Sequence, residues 1–268
     1  AEVWRRFGDV DNYVEPFFGS GAVLLARPHK PHTETVNDAD GLLCNFWRAI
    51  RANPAAVAEY AEWPVNENDL HARHVWLVER KESLQARLEG DPDFYDAKAA
   101  GWWVWGICCW IGSGWCSGNG PWAVREVDGV RQLVHLGGGR GVNRKRVHLS
   151  GAGQGVNRKQ SVIREWFEAL AERLRYVRVC CGDWFRVCGP NVTFRHGITA
   201  VFLDPPYADT AARAGDLYRL DSLSVAHDVR EWALANGNNP LMRIALCGYA
   251  GEHAMPSDWR CYAWKAIG

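Results

Sequence analysis

The sequence predicts an α/β fold: a parallel-type sheet flanked by helices and interrupted by a mostly helical insertion. Three observations carry that expectation. Apolar runs at Asn12 to Phe17 and Ile198 to Leu203 end in turn-forming residues, as buried strands do. Strands alternate with helical patterns on both flanks of residues 60–160, which is the rhythm of a parallel sheet. The stretch between those flanks has helical spacing and clustered tryptophans instead.

Taken in order, Asn12 to Phe17 reads as a buried strand, a glycine turn follows, and Gly21 to Arg27 reads as the next helix. Thr33 to Val36 is a short second strand ending at Asn37-Asp38. Asp40 is a good N-cap for a helix through Leu42, Leu43, Phe46, Trp47 and Ile50. Pro54 opens another short helix and Pro64 closes it. Leu70, Leu77, Leu84 and Leu88 mark one face of a long amphipathic helix up to Gly90. Trp102, Trp103, Trp105, Trp110 and Trp115 are packing residues first of all. Trp122 to Val127 and Val130 to Leu136, joined by Asp128-Gly129, signal a hairpin. The alternating pattern then resumes with a helix from about Ser161 to Arg175 and a strand from Tyr176 to Cys180. Next come strand Ile198 to Leu203, a helix from about Ser222 to Asn236, strand Met242 to Cys247 and a last strand near Arg260 to Trp264.

A chain of 268 residues, 47% hydrophobic and 23% charged, has an ordinary globular composition and can bury a proper core. No apolar run approaches the roughly 20 residues that a membrane-spanning helix needs. The sequence begins at Ala1 without an initiator Met or a signal-peptide pattern, so a trimmed start and a cytoplasmic protein, bacterial or from a phage-infected cell, are expected. Nine cysteines, an odd number, fit reduced thiols. Cys108-Cys109 with Cys116 and Cys180-Cys181 with Cys188 share a spacing. Adjacent cysteines in apolar runs pack as small hydrophobes more often than they bind zinc, so no metal is expected.

Net charge is zero, yet its distribution is uneven. Residues 129–164 hold eight Lys or Arg and no Asp or Glu, enough to bind a polyanion locally. Within them, His135 to Lys145 is echoed by His148 to Lys159, each copy glycine-rich and ending in Asn-Arg-Lys. A flexible basic linker would look like this. So would a pair of DNA-contacting fingers whose cations hold phosphates.

Two strings carry chemistry. Glu15-Pro-Phe-Phe-Gly-Ser-Gly21 joins a strand to a helix through a turn that lets backbone approach a nucleotide-like cofactor. Asn37-Asp38, about 20 residues on, puts an acid where ribose hydroxyls would be bound; capping the next helix is its structural alternative. Asp204-Pro-Pro-Tyr207 offers a carboxylate, carbonyl acceptors on a chain stripped of two N–H donors, and an aromatic face. Such a set grips a planar amino group, as on an extruded adenine, and leaves its nitrogen lone pair available.

These strings, with Gly182-Asp183-Trp184, resemble the Dam-type DNA adenine methyltransferases, particularly phage-borne members. The motif order, cofactor turn first, then a recognition insertion, then the Asp-Pro-Pro-Tyr element, is similar to that family's alpha arrangement. The resemblance implies a Rossmann-like methyltransferase sheet formed by residues 1–52 and 161–268, with 53–160 as the inserted target-recognition region. It also implies S-adenosyl-L-methionine as cofactor and double-stranded DNA as partner. Cofactor contacts would come from Glu15, Pro16, Phe17, Gly19, Gly21, Asp38, Asp183 and Trp184, and target-adenine contacts from Asp204, Pro205, Pro206 and Tyr207. The expected DNA contacts are Arg140, Asn143, Arg144, Lys145, Asn157, Arg158 and Lys159.

The sequence departs from the family in lacking a Gly-Gly-Lys element before Glu15, and it stops soon after the last expected strand. An incomplete enzyme is therefore expected. The competing expectation is a nucleic-acid-binding module with a truncated or inactive methyltransferase core. Related Pro-Pro-Tyr motifs also act on cytosine amino groups or glutamine amides, commonly with Ser or Asn in place of Asp204; the acid and the basic insertion favour adenine in DNA.

Overall fold

The computed structural model describes residues 2–110, 114–116, 122–127, 130–135, 161–206 and 216–264. Two compact units emerge, one made of residues 1–39 with 182–268, the other of residues 40–181. The elements in chain order are α1 (Glu2–Phe7), β1 (Asn12–Glu15), α2 (Ala22–Leu25), β2 (Thr33–Asp38), α3 (Gly41–Ala52), α4 (Pro54–Ala61), α5 (Glu67–Gly90) and α6 (Ala97–Cys109). They continue with β3 (Trp122–Val127), β4 (Val130–His135), α7 (Ser161–Leu174), β5 (Arg178–Cys181), β6 (Thr199–Leu203), α8 (Asp216–Asn236) and β7 (Met242–Leu246). The five-stranded parallel sheet runs β5-β2-β1-β6-β7. This is the α/β fold the sequence predicts, consistent with a Rossmann-like methyltransferase.

In the first unit, β1 and β6 are buried along their whole length, the state of strands covered on both faces. Val14 is level with Thr35 on one side and Val201 on the other, and Leu203 is level with Leu246. Trp4 and Phe7, one turn apart on α1, close over Tyr13 with ring centroids 4.9 Å and 6.4 Å from it. Arg27 and Glu34, both about 1% exposed, form a 3.0 Å ion pair. A second Arg27 nitrogen donates to the Val10 carbonyl, so the buried charge is not left to Coulomb attraction alone.

The second unit is mainly helical, and its helices start where side chains can cap them. Asp40 accepts from the Leu42 N–H, Asn53 from Ala56, Asn66 from Asn68 and Asp96 from Ala99. Leu70, Leu77, Leu84 and Leu88 are all buried. Helices α4 and α6 approach so closely that a Cβ at Gly101 would lie 2.6 Å from the Val57 carbonyl oxygen. The tryptophans pack as the sequence suggests: Trp105 is fully buried and its indole N–H donates to the Trp63 carbonyl. Strands β3 and β4 form the expected antiparallel hairpin, Val127 facing Val130.

One element is corrected. Arg260 to Trp264 forms no strand; the segment is irregular and exposed, and Tyr262 lies under the Arg6 guanidinium at 3.5 Å. Residues of high strand propensity do not make a strand unless they pair with a sheet. Among the described residues, no helix is long and apolar enough to cross a membrane, and no cluster of His, Cys, Asp or Glu is arranged to hold a metal ion. Among the described residues no cysteine is joined in a disulfide.

Candidate active site

The carboxyl ends of β1, β2, β6 and β7 converge within the first unit. Strand β1 is followed outward by β2 on one side, while β6 and β7 extend the sheet on the other. The order therefore reverses between β1 and β6, and crevices at such reversals are where ligands bind in open parallel sheets. Glu15 ends β1 and Asp204 follows β6.

On the β1–β2 side, Gly19 and Gly21 both have left-handed backbone, φ 47° and 67°. A Cβ at Gly21 would lie 2.8 Å from the Phe18 ring, so the turn needs glycine there for space as well as for φ. At Gly19 a Cβ would meet nothing within 4 Å, which leaves open room directly over the turn. The turn is held by neighbours. Asp38 accepts from the Gly19 N–H at 3.0 Å, and the Phe18 N–H donates to the Asn37 carbonyl at 2.9 Å. The buried Asn37 amide donates to the carbonyls of Pro16 and Gly182. In the sequence Asn37 is marked only by its place beside Asp38, yet in the fold it ties three chain segments together.

Gly182 in turn donates its N–H to the Asp38 carbonyl at 2.9 Å. Asp183 caps the single turn Trp184–Val187 by accepting from the Phe185 N–H. Trp184 stacks on Phe17, ring centroids 6.0 Å apart and planes 27° from parallel. The structure thus brings Phe17, Gly19, Gly21, Asp38, Asp183 and Trp184 to one rim.

Glu15 is different in kind. It is 2% exposed, accepts from the Tyr13 hydroxyl at 2.8 Å, and interacts with the Leu24 backbone N–H. Burial, outweighing those two bonds and reinforced by the nearby Asp204 charge, pushes its carboxyl up to about 8. The group is an anchor beneath the turn that carries a proton at neutral pH. Cys247, which follows β7, is also pushed up, to about 12, by burial and then by the charges of Asp204 and Glu15.

On the β6 side Asp204 and Pro206 are exposed and Pro205 is buried. Tyr207 lies outside the described residues, as do Arg140, Asn143, Arg144, Lys145, Asn157, Arg158 and Lys159.

Residues 4–89 match the family model for D12 class N6 adenine-specific DNA methyltransferases. The match supports an adenine-specific DNA methyltransferase. It takes in the whole Glu15 to Gly21 turn and Asp38, while Asp183, Trp184 and Asp204 lie beyond it. No curated protein matches the chain.

Proposed function

We propose that this chain transfers a methyl group from S-adenosyl-L-methionine to the exocyclic amino nitrogen of adenine extruded from double-stranded DNA, in the Dam-like order of motifs. The observation that carries this reading is the reversal of strand order between β1 and β6. A glycine turn suited to a nucleotide-like cofactor ends one strand, and Asp204-Pro205-Pro206 ends its hydrogen-bonded neighbour.

The residues present fit the cofactor. Open space over Gly19 gives its methionine end room against the backbone, Asp38 is placed for ribose hydroxyls, and the Phe17–Trp184 pair offers a flat apolar face to an adenine ring. A carboxylate can accept from several donors, so the Asp38 bond to Gly19 is compatible with gripping a ribose. When bound, the cofactor supplies an electrophilic methyl on a sulfonium whose departure as a neutral thioether needs no metal. On the other side Asp204 and the Pro205 carbonyl accept from the adenine amino group. They turn its lone pair toward the methyl, and solvent at the exposed Asp204 takes up the proton released. Positioning of this kind supplies most of the rate. The segment 53–160, with its two Asn-Arg-Lys strings, is the DNA-recognition region in this reading.

Replacing Asp204 with Ala should abolish methyl transfer to DNA while leaving S-adenosyl-L-methionine affinity within a few-fold. Radiolabelled methyl transfer and calorimetry read the two quantities. Loss of cofactor affinity instead would show that the pocket is divided wrongly. No saturable cofactor binding by the unmodified chain, with DNA binding retained, would favour a binding module.

A further inference from the structure

Strand β7 lies beside β6 in parallel register, Leu203 level with Leu246, and the Cys247 N–H donates to the Leu203 carbonyl at 2.8 Å. The ladder thus continues to the residue before Asp204. Tyr249 follows Cys247 by two positions, as Pro206 follows Asp204. The residue is 61% exposed.

The loop carrying that ring is pinned. Glu252 accepts from the Tyr249 N–H at 2.6 Å, and its own N–H donates to the Tyr249 carbonyl at 3.0 Å. The His253 ring nitrogen bonds the Cys247 carbonyl at 3.0 Å, and the ring packs so tightly that a Cβ at Gly248 would lie 2.6 Å from it. Gly251 supplies the left-handed residue that closes the turn, φ 84°. A fixed backbone presenting an aromatic ring to water forgoes the burial that the ring would gain elsewhere.

Exposure alone does not single out Tyr249, because other aromatics here are exposed. Tyr176 belongs to the other unit, and Tyr262 lies beyond the last strand of the sheet, far along the chain from the exit of β7. Phe185 belongs to the turn after Asp183 on the cofactor side. Tyr249 combines an exposed ring, a pinned loop and a place one strand from Asp204.

We infer that Tyr249 stacks on the target adenine once it is out of the helix, forming an aromatic wall of the base pocket beside Asp204. The inference rests on the methyltransferase reading above. It requires only a π face, so the hydroxyl is dispensable.

The test uses this chain, S-adenosyl-L-methionine and genomic DNA free of N6-methyladenine, comparing Tyr249→Phe and Tyr249→Ala with the unmodified protein. Tyr249→Ala should lower kcat/KM for DNA by roughly 5- to 150-fold, the range of one base–aromatic stack. Tyr249→Phe should stay within about twofold, and cofactor affinity should be unchanged in both. If the unmodified protein methylates DNA and Tyr249→Ala does so equally well, the stacking role is wrong and the methyltransferase reading stands. A parallel fall in cofactor affinity would instead make Tyr249 a support for the loop and overturn the inference. No transfer by the unmodified protein would refute the underlying reading itself.

Discussion

Glu15 makes a measurable demand on stability. Its carboxyl is pushed from the ordinary 4.5 to about 8, first by burial, against the opposing bonds from Tyr13 and the Leu24 N–H, with the Asp204 charge adding to the rise. Around it stand Tyr13, itself raised by burial and by Glu15, then Glu34 and Arg27 acting on that tyrosine, and Cys247 beyond Asp204. Between the two values the folded chain keeps a proton that the unfolded chain has released. The contribution of Glu15 is therefore fully present below about 4.5 and is lost as pH rises through about 8. At about 1.4 kcal/mol per pH unit, that gap amounts to roughly 5 kcal/mol as an upper bound. A whole domain has about 5–15 kcal/mol, so alkaline pH should bring the fold near its limit. Glu15→Gln keeps the shape and an acceptor oxygen but cannot ionise. Urea unfolding of both proteins from about pH 5 to about pH 9 should show the unmodified chain losing stability relative to the variant across this window. The variant should be the more stable at the alkaline end. Parallel curves would refute the argument, because they would mean that Glu15 ionises in the folded protein as it does in water.

The remaining predictions concern ligands. Asp38→Ala should weaken S-adenosyl-L-methionine binding by about 1.5–3 kcal/mol, as it removes a charged acceptor that also holds the Gly19 N–H; an unchanged dissociation constant in calorimetry would take Asp38 out of the site. Replacing Arg144, Lys145, Arg158 and Lys159 together with Ala should weaken DNA binding on all sequences and lower the slope of log affinity against log salt by roughly 3–4. Loss of sequence discrimination with little change in slope would make the two tips base readers.

Strand and helix placement was legible wherever burial and local preference agreed. The apolar runs at β1 and β6, the leucines of α5 and the Asp40 cap all left local marks, and each element formed where it was read. What stayed hidden depends on contacts between distant positions. A last strand was expected near Arg260 to Trp264, and only the fold reveals that the segment joins no sheet. Glu15 opens the glycine motif. Its bond to Tyr13, on the same strand face two residues before, and its burial give it an anchoring place that sequence spacing does not announce. Cys247 likewise acquires meaning only from parallel register, which puts it beside the exit of β6.

The glycine turn and the Asp-Pro-Pro segment, far apart in sequence, belong to one unit. The chain leaves the first unit after Ala39 and returns at Gly182. At that junction the Gly182 N–H donates to the Asp38 carbonyl, and the Gly182 carbonyl accepts from Asn37, so the departing and returning strands of chain are clamped to each other. The entropic cost of closing a long excursion grows only with the logarithm of its length, about 0.6 kcal/mol per doubling. Two hydrogen bonds at the base, one from a buried amide, are of the size needed to offset such differences. Asp38, whose carbonyl closes the clamp, is also the residue whose carboxylate holds Gly19, so the turn and the point of return share one residue.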